Sequence, residues 1–247
     1  MSNILGFAEI FGVFLLAGFV KGVIGLGLPT VAIAVLGLMM PPAQAAALLV
    51  VPSLVTNIWQ SWAGPALRRL LLRLWPMFAG ICFGTWASAG IITGSDSAMV
   101  SAGLGAALVI YATLGLSKVH FSVPARLEIW LAPVVGIATG AVSGATGIFT
   151  LPAVAYLQAI GLEKDELVQA LGLSFTVSTA ALGVVLMDGG ALQLTEMAIS
   201  IASLIAALIG MGLGQMVRGR IRPERFQLFF FIGLLLLGAH LALRGVY

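Results

Sequence analysis

Residues 18–29 read GFVKGVIGLGLP and residues 140–152 read GAVSGATGIFTLP, each within a long apolar segment. The glycines of the two stretches align at a constant offset, and the prolines that close them, Pro29 and Pro152, align after one inserted residue. Glycine and proline both destabilise a helix interior. Irregular backbone at membrane depth is tolerated only where it is buried in protein or lines a cavity. A matched pair of such breaks in two halves of a chain therefore indicates a transporter's binding site.

The composition of the 247-residue chain is typical of a protein embedded in a lipid bilayer. Hydrophobic residues make up 60% of the chain and charged residues 9%, whereas soluble domains carry about 25% charged residues. The net charge is +3. In a membrane protein an excess of Lys and Arg marks cytoplasmic loops. We therefore expect the lipid bilayer, and no nucleic acid, as the partner of this chain.

The sequence predicts neither a metal site nor catalysis. It contains one cysteine, Cys82, and two histidines, His120 and His240, which exclude a cysteine-based metal site and argue against a histidine-rich one. It shows no HExxH motif, no Ser-His-Asp arrangement and no paired carboxylates in the apolar segments. We predict that the protein has no cofactor and no catalytic residues, and that it is not an enzyme.

Eight apolar segments divide the chain into two similar halves. Six of them have the length of one spanning helix, roughly 20 residues, and the other two are longer and contain the glycine–proline stretches. The single segments are 43–62, 74–93, 98–116, 167–187, 197–217 and 226–243, and the long ones are 4–40 and 129–160. We predict an all-α polytopic membrane protein with two four-segment repeats, each opening with a broken helix. The repeats are residues 1–116 and 128–247, and a cytoplasmic linker of residues 117–127 joins them.

Charges in the loops predict that the two repeats are inverted. We compare the loops that follow the single-length segments of each repeat. After the first such segment, repeat one carries three arginines, whereas repeat two carries only acidic residues. After the second, repeat one carries one aspartate, whereas repeat two carries four arginines. These residues are Arg68, Arg69 and Arg73, then Asp188 and Glu196, then Asp96, then Arg218, Arg220, Arg222 and Arg225. Because basic loops lie in the cytoplasm, equivalent loops of opposite charge indicate opposite orientations. Each broken segment would then return to its starting side, as a re-entrant segment or as a discontinuous pair of helices.

The doubled motif resembles that of the TauE/SafE family of membrane permeases, also described as sulfite exporters. The resemblance rests on Gly18-x3-Gly22-x2-Gly25-x-Gly27 with Pro29, and on Gly140-x3-Gly144-x2-Gly147 with Pro152. It covers the whole chain, because the duplicated layout of helices also fits. The resemblance implies a permease of the inner membrane that moves sulfite, sulfoacetate or another small sulfur-containing anion.

Lys21 is the charged residue within the two stretches, and Ser143 occupies the matching position in the second. A lysine at membrane depth is costly and indicates a functional site. Its ammonium would attract a sulfonate beside the free N–H groups of a half-helix N-terminus. The alternative is a shallow re-entrant segment from which Lys21 extends to the membrane surface.

Backbone and hydroxyl donors complete the predicted site. The glycines of the breaks are expected to expose N–H groups to the oxygens of an anion, although they would equally permit close helix crossing. These are Gly22, Gly25, Gly27, Gly144 and Gly147. Thr146 adds a hydroxyl, and Asn57 and Ser178 are the leading polar candidates on the helices that follow the breaks. Such side chains also bond other helices or the carbonyl one turn earlier.

Together these features favour a secondary transporter that exports a small sulfur-containing anion, such as an organosulfonate or sulfite. The anion would be held between the two broken helices, which we expect to face each other near the membrane midplane. Two alternatives stay open at this point: an uptake permease for another small solute, and a non-transporting membrane subunit. The sequence is compatible with a monomer or a homodimer.

Overall fold

The computed structural model describes residues 2–117, 122–220 and 222–244. It is 84% helical and has no strand in the described part of the chain. The predicted all-α fold is therefore confirmed. His120 and Lys118 lie outside the described residues. The helices are α1 Ser2–Ile24, α2 Leu28–Leu36, α3 Pro42–Trp62, α4 Leu67–Ala87, α5 Ala89–Gly94, α6 Ser97–Ser117, α7 Ala125–Thr146, α8 Ala153–Ala159, α9 Lys164–Asp188, α10 Leu194–Arg218 and α11 Pro223–Arg244.

Eight helices of the described chain are long and apolar enough to cross a membrane. They coincide with the eight apolar segments, because hydrophobic length is a local property that the sequence carries directly. One boundary is wrong: the span predicted to start at residue 74 begins seven residues earlier, at Leu67. Arg68, Arg69 and Arg73 therefore form the first turns of α4 instead of a loop.

Both long segments are divided into a full-length helix and a short one. Helix α1 ends at Ile24 and α2 starts at Leu28, with Gly25 at φ +80° and Gly27 at φ +104° between them. Helix α7 ends at Thr146, followed by Gly147 at φ +76°. Residues other than glycine rarely adopt a positive φ. The glycines thus stop each helix where the sequence predicts a break.

Glycines also determine how the halves of the chain pack. Helix α1 lies along α10, and α7 lies along α4. A Cβ added to Gly22 would overlap the carbonyl oxygen of Met211 on α10, and one added to Gly144 would lie too close to the carbonyl oxygen of Thr85 on α4. Small residues let helix backbones approach to this extent in a bilayer. The first helix of each half therefore packs against the third long helix of the other half.

The two breaks lie at different levels of the bundle instead of facing each other near its middle. Lys21, close to the first break, contacts Thr56 and Asn57 in the second half of α3. Gly147, at the second break, lies beside Ala46 near the start of the same helix. At 1.5 Å per residue, the contact of Lys21 and the contact of Gly147 are about 15 Å apart along α3.

Ion pairs join three helix starts at one end of the bundle. Arg69 on α4 pairs with Glu166 on α9. Arg73 forms a bidentate pair with Glu128 on α7, with N···O distances of 2.6 and 2.7 Å, and donates to the carbonyl oxygen of Ile160 at 3.0 Å. We name this the basic end, since it also holds Arg68, Arg126, Lys164 and Arg218. Its location in the cytoplasm, and hence the inverted orientation, stays a prediction.

Candidate functional site

A cavity of about 250 Å³ opens at the basic end and reaches the first break. Exposed residues from the starts and ends of helices line its outer part, among them Asp165 and Arg218, whereas Lys21, Gly22 and Thr56 are buried at its inner part. The remaining lining residues are Gly25, Trp59, Gln60, Ala63, Gly64, Pro65, Val168, Gln169, Met211 and Gln215. The cavity therefore connects the surface with the charge inside the broken segment.

Lys21 is 4% exposed, and its ammonium points into the bundle. Its Nζ donates to Thr56 Oγ1 at 3.1 Å and to Asn57 Oδ1. Both acceptors are neutral, and within the described residues no carboxylate forms an ion pair with this lysine. The Lys21 side chain is therefore directed towards α3 inside the bundle and not towards the outer surface of the protein.

The surroundings of Lys21 favour an anion. An ammonium has three donor hydrogens, and two are used on Thr56 and Asn57. The Nδ2 atom of Asn57 is buried without a partner. A buried charge without a counter-charge is costly, whereas an anion about 4 Å away would gain roughly 4 kcal/mol at an effective dielectric constant of about 20. The Lys21 ammonium thus keeps one unused donor and, in the part of the chain that the structure describes, has no carboxylate in an ion pair with it, and the free Nδ2 of Asn57 lies beside it.

The glycines of the first break shape the cavity more than they supply donors. Gly22 and Gly25 line it. The N–H of Gly25 already donates to the carbonyl oxygen of Lys21 at 2.8 Å, so that group is not free for an anion. Gly27 packs beside Val20 and Phe230. Gly25 and Gly27 end α1 just beyond Lys21, whereas Gly22 lets α1 pack closely on α10.

The predicted residues of the second stretch lie apart from this cavity. Thr146 Oγ1 donates to the carbonyl oxygen of Val142 at 2.7 Å, and Gly144 packs on α4. Ser143 and Ser178 are fully buried, and their hydroxyls have no partner. The predicted residues are therefore divided into a charged group with a cavity at the first break and an uncharged, closed group near the second.

Sequence reasoning overlooked several residues of the cavity. Asp165, Gln215 and Arg218 lie at helix ends, where a charged or polar residue is usually only solvated. The sequence does contain a pointer to Gln215. This residue directly follows Gly214, and Gly214 packs against Gly22 of α1. Thr56, beside Asn57 on the helix that follows the first break, is the other acceptor of the Lys21 ammonium and lines the cavity.

The family model described as "Sulfite exporter TauE/SafE" matches residues 10–241 of this chain. The chain belongs to this family. Comparison with curated proteins and with solved structures gives no match. As a TauE/SafE protein with eight apolar helices of spanning length, the chain is a multi-pass membrane protein of a transporter family, which implies that it is not an enzyme.

Proposed function

We propose that this TauE/SafE protein exports a small sulfur-containing anion, an organosulfonate or sulfite, across the inner membrane. The observation that carries the proposal is Lys21, an ammonium at the inner part of an open cavity with neutral partners only. Its charge and its remaining donor would hold a sulfonate or sulfite oxygen.

The size of the cavity supports a small solute. Sites for drug-sized ligands measure about 300–1,000 Å³, and this cavity, at about 250 Å³, is smaller. A compact anion of a few heavy atoms fits this space without a large rearrangement. The amide Nδ2 of Asn57, which has no hydrogen-bond partner among the described residues, is a further donor beside the ammonium.

The direction follows from the basic end and the membrane potential. Positive-inside logic puts that end, and the mouth of the cavity, in the cytoplasm. Moving one elementary charge through 100 mV is worth about 2.3 kcal/mol. A negative cell interior would therefore drive an anion outwards without a coupled proton. Movement of one group of helices against the other would then open the second half to the outside.

Asp165 favours a second candidate substrate. It lines the outer part of the same cavity whose inner end is formed by Lys21. A zwitterionic aminosulfonate would place its sulfonate at Lys21 and its ammonium towards Asp165. The panel that tests the proposal therefore includes an aminosulfonate beside plain sulfonates.

The test is thermal stabilisation of the purified protein by sulfite, sulfoacetate, thiosulfate, an aminosulfonate and carboxylates of matched size. Binding at 100 times Kd stabilises a folded protein by about 2.7 kcal/mol. We expect sulfur-containing anions to raise Tm more than carboxylates do. An unchanged Tm with every anion of the panel would contradict the anion site. Uptake of an unrelated solute and a non-transporting role both predict that result.

A further inference from the structure

Several buried polar groups of the described residues have no hydrogen-bond partner. Within the described chain the buried side-chain atoms without a hydrogen-bond partner belong to Thr30, Ser53, Asn57, Thr85, Ser143, Thr150, Ser174, Ser178 and Glu196. Buried hydroxyls in membrane helices ordinarily bond the carbonyl one turn earlier. Thr139 and Thr179 do so at 2.7 Å. The unpartnered groups are therefore available to something that the closed bundle does not contain.

Three of these groups lie in positions of the chain that correspond, in the duplicated arrangement of helices, to residues that line the Lys21 cavity. Lys21 directly precedes Gly22, which packs on the Met211 carbonyl, and Ser143 directly precedes Gly144, which packs on the Thr85 carbonyl. Ser143 thus corresponds to Lys21, and Thr85 corresponds to Met211.

The pairing of α3 with α9 supplies the third correspondence. Ser61 lies beside Gly172, and Val50 lies beside Gly183. The two contact positions are eleven residues apart on each helix, so Val50 on α3 corresponds to Gly172 on α9, and Ser61 corresponds to Gly183. Thr56 lies six residues after Val50, and Ser178 lies six residues after Gly172, so these two residues also correspond. Lys21 and Thr56, which are 4% and 1% exposed, line the open cavity together with Met211. Ser143, Ser178 and Thr85 are 0% exposed.

In an alternating-access transporter, matching positions of the two halves line an open cavity in turn. Lys21 and Thr56 line such a cavity, whereas the matching Ser143 and Ser178 are fully buried, and their hydroxyls and that of Thr85 have no partner within the described chain. Leaving a buried hydroxyl unpaired destabilises the closed state. When the second half opens, these hydroxyls would meet water and the oxygens of the transported anion.

We propose that Thr85, Ser143 and Ser178 form a second, uncharged subsite for the same oxyanion, used after the anion leaves Lys21; the proposal rests on the proposed function. Hydroxyl donors hold sulfonate or sulfite oxygens without a fixed charge. Binding is then weaker than at Lys21, because hydrogen bonds between neutral donors and an anion lack the ion-pair attraction. Weak binding on this side suits release.

The test compares the variant T85V/S143A/S178A with the wild-type protein. The initial rate of sulfite or sulfoacetate export from proteoliposomes should fall at least tenfold. The thermal shift caused by the same anion should stay within twofold in midpoint concentration, because Lys21 is intact. The Tm of the anion-free variant should be equal or higher, since unpaired hydroxyls have been removed.

The matched control is T139V/T179V. It removes two buried hydroxyls of α7 and α9, each of which already donates to a carbonyl oxygen. Its export rate should stay close to that of the wild-type protein. A wild-type export rate in T85V/S143A/S178A, or a Tm lower than that of the control, would refute the second subsite. Neither result would contradict the binding of the anion by Lys21. Wild-type protein that neither binds nor moves any anion of the panel would instead refute the proposed function.

Discussion

Replacing Lys21 by methionine tests the origin of anion affinity. Methionine fills nearly the same space but removes the ammonium that donates to Thr56 and Asn57. An ion pair at about 4 Å in a partly desolvated site is worth roughly 4 kcal/mol, and a hydrogen bond to a charged group contributes about 1.5–3 kcal/mol. Both values describe the same contact and are not added together, so we expect Lys21→Met to weaken binding by about 2–4 kcal/mol. This corresponds to roughly 30- to 1,000-fold in Kd.

The assay is anion titration monitored by thermal unfolding, followed by export from proteoliposomes. Lys21→Met should lose the Tm increase at anion concentrations that saturate the wild-type protein. Thr56 keeps its bond to the Pro52 carbonyl at 2.7 Å, so the anion-free protein should remain folded. Lys21→Arg, which keeps the charge, should retain most of the binding.

A matched control removes a cation elsewhere in the bundle. Arg244 donates to the carbonyl oxygen of Leu38 at 2.8 Å, at the opposite end from the cavity. Arg244→Met should leave the Kd unchanged. Wild-type affinity in Lys21→Met, or an equal loss in both variants, would refute the argument that the buried ammonium holds the anion.

Three further predictions concern the frame of the site. Gly147→Ala should lower stability by more than Gly161→Ala in thermal unfolding: both have positive φ, worth about 1–2 kcal/mol, but only at Gly147 would the new Cβ strike Ile33. Equal losses would show that this contact is unimportant. Breaking the bidentate pair by Arg73→Met should cost about 1–3 kcal/mol, and a double-mutant cycle with Glu128→Gln should recover much of it as coupling; zero coupling would exclude the pair as a clamp. In a variant free of Cys82, Ser95→Cys should react with a membrane-impermeant thiol reagent from outside the cell, and labelling only from the cytoplasmic side would reverse the predicted orientation.

Local properties of the sequence predicted much of the fold. The eight spans follow from hydrophobic length, and the breaks follow from glycines whose positive φ other residues rarely adopt. The sequence does not indicate the start of α4, because arginines that prefer water are typical of a loop. Arg69 and Arg73 are accommodated in a helix because acidic residues from α9 and α7 lie beside them.

For the site, the sequence by itself singled out Lys21, because a charge between glycines in an apolar segment is unusual whatever surrounds it. Only the tertiary structure decided its partners, Thr56 and Asn57, which lie 35 and 36 residues away along the chain. It also placed the two breaks at different levels, so that an open cavity at Lys21 is matched by a closed group of hydroxyls at Ser143. The physical reason is that hydrophobic length and backbone conformation belong to short segments, whereas contacts and cavities depend on how distant helices pack.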